Sequence, residues 1–298
     1  MALEAGRHGG DGGGWRSLMS EDVDVVIVAF GAPELLEECL SRLGGTLPVV
    51  IVDNSSDAEV RAVTERHGAR YVDPGRNLGF GAGVNVGVAH LPHPLADVLL
   101  LNPDAQITSA GVERLRHCLH AVADLACVAP AQVDQSGQAA RVGWPFPTPW
   151  GAWVEAVGLG SLRRRQAFMI GSVLLVRSAA LTEVGPFDER FFLYAEETDW
   201  QRRAHDLGWG AALCPEVTAL HVGAGTGGDE SERDVHFHAS QERYIRKHHA
   251  TTGWMVYRTG VMVGALMRSL VLPRGRRDRA ATRFRLYRQG PCRVESEL

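Results

Sequence analysis

The chain has 298 residues, 45% hydrophobic and 22% charged, enough to bury a sizeable core without a disulfide or metal staple. Its ordinary aromatic content excludes a multi-span membrane protein and a wholly disordered one, and a net charge of −4 argues against a globally basic nucleic-acid binder. The charge is unevenly placed. Residues 255–298 hold ten arginines against three carboxylates, a net of +7, which leaves −11 for the remainder. An acidic body with a basic tail implies a tail that meets something anionic, either phospholipid or an acidic substrate. Cys39, Cys118, Cys127, Cys214 and Cys292 are odd in number and lack zinc-knuckle or redox spacing. They read as reduced, mostly buried thiols of a cytoplasmic protein.

Residues 1–21 are Gly-rich, carry no secretory apolar stretch and read as a flexible leader. From Val23 the pattern turns regular: VDVVIVAF (23–30) is a strand, PELLEECLSRL (33–43) a helix and PVVIVDNS (48–55) a second buried strand. A helix over 58–68, closed by Gly68, and a short strand over 69–74 follow. After the Gly-rich segment RNLGFGAGVNVGVAHL come the strand DVLLLNPDA (97–105) and a helix over 111–122. Strands alternating with helices predict an α/β fold, a mostly parallel sheet with flanking helices and ligands at the carboxyl ends of its strands. The second half predicts a strand and turn over 127–141, a Pro/Trp/Gly-rich loop, a strand running into a helix over 168–185, and a helix in EETDWQRRAHDLG. One or two short strands over 211–223, a mobile Gly/acidic loop over 223–234 and a helix over 236–249 complete it.

Several residues could carry chemistry, and each has a plainer reading. Asp53 ends a strand, as an acid reading a base or ribose would, or as a turn and helix cap would. RNLGFGAGVNVG, with Arg76, Asn77, Gly79 and Asn85, is either a ligand cradle or a tight helix entry; it is not a Walker loop. Asn102-Pro103-Asp104 delivers a carboxylate to a strand end, suited to Mg²⁺ or Mn²⁺ on a diphosphate, or to capping the next helix. Glu196, Glu197 and Asp199 crowd three carboxylates into four positions, which predicts a raised pKa, a cation partner or a general base. The plainer account is charge favouring a helix N-terminus. His221 is a metal ligand or a satisfied strand-end histidine.

In their order and spacing these segments, with FDERFFLYAEETDWQRRAHDLGW the most specific, resemble the family 2 glycosyltransferases of the GT-A fold over roughly residues 23–250. The nearest likeness is to bacterial rhamnosyltransferases acting on polyprenyl-diphosphate-linked sugars. The resemblance implies a leader (1–21), a GT-A domain (22–250, nucleotide-binding to about 126 and acceptor-binding beyond) and a tail (251–298). It implies an inverting, metal-dependent transfer, with rhamnose from dTDP-rhamnose favoured and a UDP-sugar donor or a non-catalytic sugar-binding module as alternatives. Asp53, Arg76, Asn77, Gly79, Asn85 and Asn102 would hold the nucleotide. Asp104 and His221 would serve a divalent metal, Mg²⁺ or Mn²⁺. Glu197 would be the base, replacing the family's usual Asp, and Glu196, Asp199 and Trp200 would shape the acceptor site. The acceptor would be a polyprenyl-diphosphate-linked sugar or another glycan, at the inner face of the cell membrane in cell-envelope synthesis.

The tail stretch WMVYRTGVMVGALMRSLVLP (254–273) is broken by Arg258 and Arg268, too short between them to span a bilayer. With Trp254 and Tyr257 at its rim it predicts an interfacial helix on anionic lipid. A helix packed on the domain, or across a homodimer interface, is the alternative.

Overall fold

The computed structural model describes residues 22–160, 166–223 and 229–298. The expected leader, and residues 224–228 of the Gly/acidic loop, lie outside them.

The apolar run at the start becomes β1 (Val23–Ala29), buried along its whole length because it lies inside the sheet with helices on both faces. It pairs in parallel with β2 (Val49–Asp53) and β4 (Asp97–Leu101), and β3 (Arg70–Val72) extends the parallel set beyond β2. On the other side β10 (Val173–Val176) runs antiparallel to β4 and to β6 (Leu125–Val133). β11 (Gly210–His221) then pairs in parallel with β6, and the two-residue β5 (Ala105–Gln106) pairs antiparallel with the end of β11. The order is β3-β2-β1-β4-β10-β6-β11-β5, with β7 (Ala139–Ala140) pairing β6 off this path, while β8 (Gly143–Trp144) and β9 (Phe168–Met169) form a separate two-stranded sheet. The sheet is mostly parallel in its first half and mixed in its second. β11 is one strand of 12 residues with register irregularities, where the sequence suggested one or two short ones.

α1 (Pro33–Leu43) shows how the helices are specified: Pro33 opens it, Gly44 closes it at φ 86°, and Leu36, Cys39, Leu40 and Leu43 form the buried face. With α2 (Ala58–Arg66) and α4 (Ser109–His120) it covers one side of the sheet. α3 (Phe80–Ala89), α6 (Ser178–Val184) and α7 (Glu196–Asp206) cover the other. The expected loop at 144–160 contains a helix, α5 (Pro149–Ala156), whose first turn is capped by Thr148 Oγ1 accepting from Gly151 N at 3.1 Å.

The expectation about the cysteines is corrected. Cys118 and Cys214 are joined by a disulfide, so the thiols are not all reduced. The partners stand 96 residues apart and meet because α4 packs on β11, a contact that short-range spacing cannot show. Cys39 and Cys127 are buried free thiols, both pushed up to about 12 by burial.

The tail is not an appendage. α8 (Glu230–Val271) passes residue 250 with a kink at Ala250 (φ 56°, ψ −174°), and α9 (Arg274–Gln289) returns along it to a last turn, α10 (Pro291–Glu295). Trp254 and Tyr287 are buried in one cluster with Phe191, Ala195 and Tyr244, which belong to the preceding part of the chain. Gly253, Gly260 and Gly264 lie against Pro149, Trp153 and Ala156, so the small residues of the tail are where α8 meets α5. Trp254 therefore anchors a protein core, stacked on Tyr257 at 6.0 Å, and does not sit at a lipid rim. Among the described residues no helix is long and apolar enough to cross a membrane.

Candidate active site

β4 ends in the Asn102-Pro103-Asp104 turn, pinned to the β10 approach by Asn102 N donating to Ser172 O at 2.8 Å. Because β5 pairs with the end of β11, Ala105 stands opposite His221, and Asp104 O accepts from Val222 N at 3.0 Å. That pairing brings Asp104 Oδ1 to 3.4 Å from His221 Nε2. Among the described residues no group of three or more His, Cys, Asp or Glu gathers. The donor set is one carboxylate and one imidazole, leaving most of a coordination shell to a diphosphate and water. So sparse a donor set would suit a divalent ion held mostly by its substrate, and not a closed protein cage. The two residues fit a divalent ion of that kind.

The expected nucleotide loop divides. Arg76 and Asn77 are exposed, and Asn77 Oδ1 accepts from Gly79 N at 2.9 Å. Asp53 is fully buried and already accepts from Ser55 N, Ser55 Oγ, Asp57 N and Tyr71 Oη. It therefore shapes the turn after β2 instead of offering a free face to a ligand. Asn85 is likewise committed: its amide donates to Phe187 O at 2.9 Å and accepts from Phe187 N at 2.9 Å, tying α3 to the loop before α7. The glycines serve close packing. A Cβ on Gly79 would stand 2.1 Å from Phe192 O, and one on Gly87 2.4 Å from Val26 Cγ1. Asp53, Gly79 and Asn85 thus also brace the frame around the loop. Asn54 was not foreseen: it is buried, and its amide donates to Gly79 O at 3.0 Å.

At the entry to α7 the chain takes two consecutive left-handed residues, Tyr194 (φ 67°) and Ala195 (φ 63°). Such backbone costs about 1–2 kcal/mol per non-glycine residue and persists where the surroundings demand it. The entry leaves Glu196 buried against Gly81 of α3 and Glu197 beside Gly171, where an added Cβ would stand 3.6 Å from Glu197 Cβ. Oε2 of each carboxylate is buried without a hydrogen-bond partner. Burial raises Glu196 well above the usual carboxylate range, and the Glu197 charge adds to it. Burial also raises Glu197, against the pull of backbone N–H groups including that of Gly171.

Asp199 and Trp200 do not line this site. Asp199 is fully buried and ion-pairs with Arg203, Lys247 and His248, joining α7 to α8. Burial alone would raise its pKa, but His248, Lys247 and Arg203 outweigh that and hold it low. Trp200 is fully buried, donates to Gly185 O at 2.9 Å and stacks on Phe187 at 5.8 Å. Both are corrected from acceptor contacts to supports of α7. The space next to Glu197 is instead a cavity of about 530 Å³ walled by Trp144, Phe168, Tyr194, Phe237, Tyr257 and Tyr287, with Arg268 and Arg283 also in its lining. Two of these walls, Tyr257 of α8 and Tyr287 of α9, come from the region read as a membrane tail.

A sheet parallel in its first half and mixed in its second, with helices on both faces and an acid-bearing turn after β4, has the architecture of the GT-A class of glycosyltransferase fold. Residues 24–185 match the family described as Glycosyl transferase family 2, more than half of the chain, and the protein belongs to that family. It is 28% identical over 270 residues to an N-acetylglucosaminyl-diphospho-decaprenol L-rhamnosyltransferase of Mycobacterium tuberculosis, covering 79% of this chain and 87% of the relative. It is 27% identical over 212 residues to the low-salt glycan biosynthesis hexosyltransferase Agl10 of Haloferax volcanii, covering 68% of each. Among solved structures, the mannosyltransferase PcManGT of Pyrobaculum calidifontis, in complex with GDP-Man and Mn²⁺, superposes with a TM-score of 0.57 at 14% identity, over 91% of this chain and 82% of that one. The glucosyl-3-phosphoglycerate synthase of Mycobacterium tuberculosis gives 0.56 at 14% identity, over 78% and 81%.

Proposed function

We propose that this glycosyltransferase moves a hexose from a nucleoside-diphosphate sugar to a hydroxyl of a sugar carried on a polyprenyl diphosphate, with inversion at the transferred carbon. Rhamnose, carried as dTDP-rhamnose, is the favoured donor sugar; the mycobacterial relative, named an L-rhamnosyltransferase of N-acetylglucosaminyl-diphospho-decaprenol, supports the choice of rhamnose. The observation that carries the reading is Glu197: a carboxylate with one unpartnered buried oxygen, at the wall of an aromatic cavity.

Glu197 Oε2 accepts the acceptor hydroxyl's proton as the new glycosidic bond forms and the bond to the leaving diphosphate breaks. One carboxylate suffices, because no covalent sugar–enzyme bond has to form. Asp104 and His221 would hold a divalent metal on the diphosphate. When bound, that ion neutralises the charge of the leaving group without a proton transfer. Arg76 and Asn77, exposed at the loop before α3, and Asn102, partly exposed at the end of β4, are the residues offered to the nucleotide. The cavity's aromatic walls exclude water from the reacting hydroxyl and offer flat faces to a pyranose ring.

The test is a panel of nucleotide sugars (dTDP-rhamnose, UDP-glucose, UDP-galactose, UDP-galactofuranose, GDP-mannose) scored for thermal stabilisation with and without Mn²⁺. Transfer to a prenyl-diphosphate-linked N-acetylglucosamine, with the product's anomeric configuration read by NMR, follows. Metal-dependent stabilisation by dTDP-rhamnose and an inverted product are expected. Preference for another donor moves the sugar assignment, and a retained configuration overturns the mechanism.

A further inference from the structure

The arginine-rich tail, now folded, places its charges in a pattern. Arg276, Arg279 and Arg283 recur at three- and four-residue spacing and so share one face of α9. That face meets Arg268 near the end of α8. The four arginines line a small cleft of about 110 Å³ together with Ala265, Leu272 and Ala280, and no acidic residue is in its lining. Arg268 is fixed there by donating to Glu155 O at 2.6 Å. On one flank Arg279 and Arg283 also border a groove that contains Asp229, Glu230 and Asp234, so the uncompensated charge is greatest towards Arg268 and Arg276.

The cleft has neighbours on two further sides. Arg268 and Arg283 also line the aromatic cavity that contains Glu197, so the arginine cleft and the cavity adjoin. At the end of α8, Leu266, Met267, Leu270 and Val271 project into solvent, Leu270 at 70% and Val271 at 81% exposure. The last turns of α8 thus carry both exposed apolar side chains and Arg268 of the cleft, and the cleft adjoins an aromatic cavity that reaches Glu197. Those are the three kinds of surface that an amphiphile made of a hydrocarbon chain, a diphosphate and a sugar would need. Guanidinium forks suit phosphate oxygens, and an exposed apolar helix end suits the boundary of a bilayer.

We propose that Arg268, Arg276, Arg279 and Arg283 form the seat for the diphosphate of a lipid-linked acceptor, with the exposed end of α8 receiving its hydrocarbon. The seat selects the lipid-diphosphate form of the acceptor and sets how far its sugar reaches into the cavity. This rests on the transferase reading above, and its test separates the two.

The probe is farnesyl diphosphate, titrated into the full-length protein below its micellar concentration, with farnesyl monophosphate and inorganic pyrophosphate alongside. Two double variants remove the same charge: Arg276→Gln with Arg279→Gln inside the cleft, and Arg274→Gln with Arg285→Gln outside its lining. The expected result is tightest binding of farnesyl diphosphate, weakened at least tenfold by the first pair and less than threefold by the second. Should the first pair unfold the hairpin, Arg283→Gln against Arg285→Gln repeats the comparison. Equal loss in both pairs, on farnesyl diphosphate or on phosphatidylglycerol vesicles, would reveal only diffuse attraction to a basic surface and would overturn the seat. So would pyrophosphate binding as tightly as farnesyl diphosphate. Nucleotide-sugar stabilisation is measured on every variant: its absence throughout sinks the transferase reading, whereas its presence beside unchanged lipid binding sinks the seat alone.

Discussion

Asp104, in the turn before β5, and His221, at the end of β11, come within 3.4 Å of each other because the two-residue β5 pairs antiparallel with the last residues of β11. The backbone bond from Val222 N to Asp104 O holds the turn in that register. If the pair holds a divalent ion, replacing Asp104 by Ala should weaken nucleoside-diphosphate binding chiefly when Mn²⁺ is present. A ligand worth only ~1.4 kcal/mol already means tenfold in affinity. His221→Ala should act in the same direction but less strongly, since it leaves the charged ligand in place. Titration calorimetry with dTDP, with and without Mn²⁺, reads both; unchanged Mn²⁺-dependent affinity in the Asp104 variant removes the metal assignment.

Glu197→Gln should lower transfer by about 10²–10⁴, the usual cost of losing a general base, while donor binding is spared. A base works ionised, and burial raises this carboxyl, so the rate should climb with pH through a value above the ~4.3 of an ordinary glutamate. The acid limb of kcat/KM is the measurement. A variant keeping more than a third of wild-type activity takes Glu197 out of the mechanism.

Glu196 gives a stability prediction of definite sign. Its pKa is raised by burial and by Glu197, so the folded protein keeps a proton that the unfolded chain releases at the ordinary value. The resulting stabilisation is complete below the unfolded pKa and is lost as pH rises through the folded one. Glu196→Gln stays neutral throughout. Its Tm relative to wild type should therefore be higher at pH 8 than at pH 5. A Tm difference that does not change with pH would mean that Glu196 titrates normally in the fold.

The strands, most of the helices and the chemically important turn are legible in the sequence because their signals are local. β1 and β4 are apolar runs of strand length, α1 shows its buried face at helical spacing, and Asp104 follows directly from a buried strand. What misleads is whatever depends on a distant partner. Asp199 looks like part of an acidic site until Lys247 and His248 arrive from α8. Asn85 looks like a ligand group until Phe187 takes both ends of its amide. Trp254 carries the signal of a membrane rim, and only the approach of Phe191 and Tyr287 turns it inward. A buried ion pair and a lipid-facing charge have the same composition, and topology decides between them.

The Gly-rich segment makes the last prediction, because its glycines differ in kind. Gly79 has φ 81° and ψ 178°, a region only glycine enters readily, and its Cα faces the carbonyl of Phe192, which also accepts from Phe80 N at 2.9 Å. A methyl group there would lie 2.1 Å from that oxygen, so the α3 entry and the loop leading to α7 would have to part. Gly75, four residues earlier, has φ 74° but nothing within 4 Å of a built Cβ. Gly75→Ala should therefore show only the conformational cost, about 1–2 kcal/mol, whereas Gly79→Ala adds a backbone clash and should exceed it clearly. Urea unfolding of the two variants gives the comparison. The Gly79 variant should also lose transfer beyond its loss of stability, because the displaced loop carries Tyr194 and Ala195, which aim Glu197. Equal destabilisation in the two variants would show that α3 and the 192–195 loop can separate freely, and that the close approach at Gly79 does not set the position of the base.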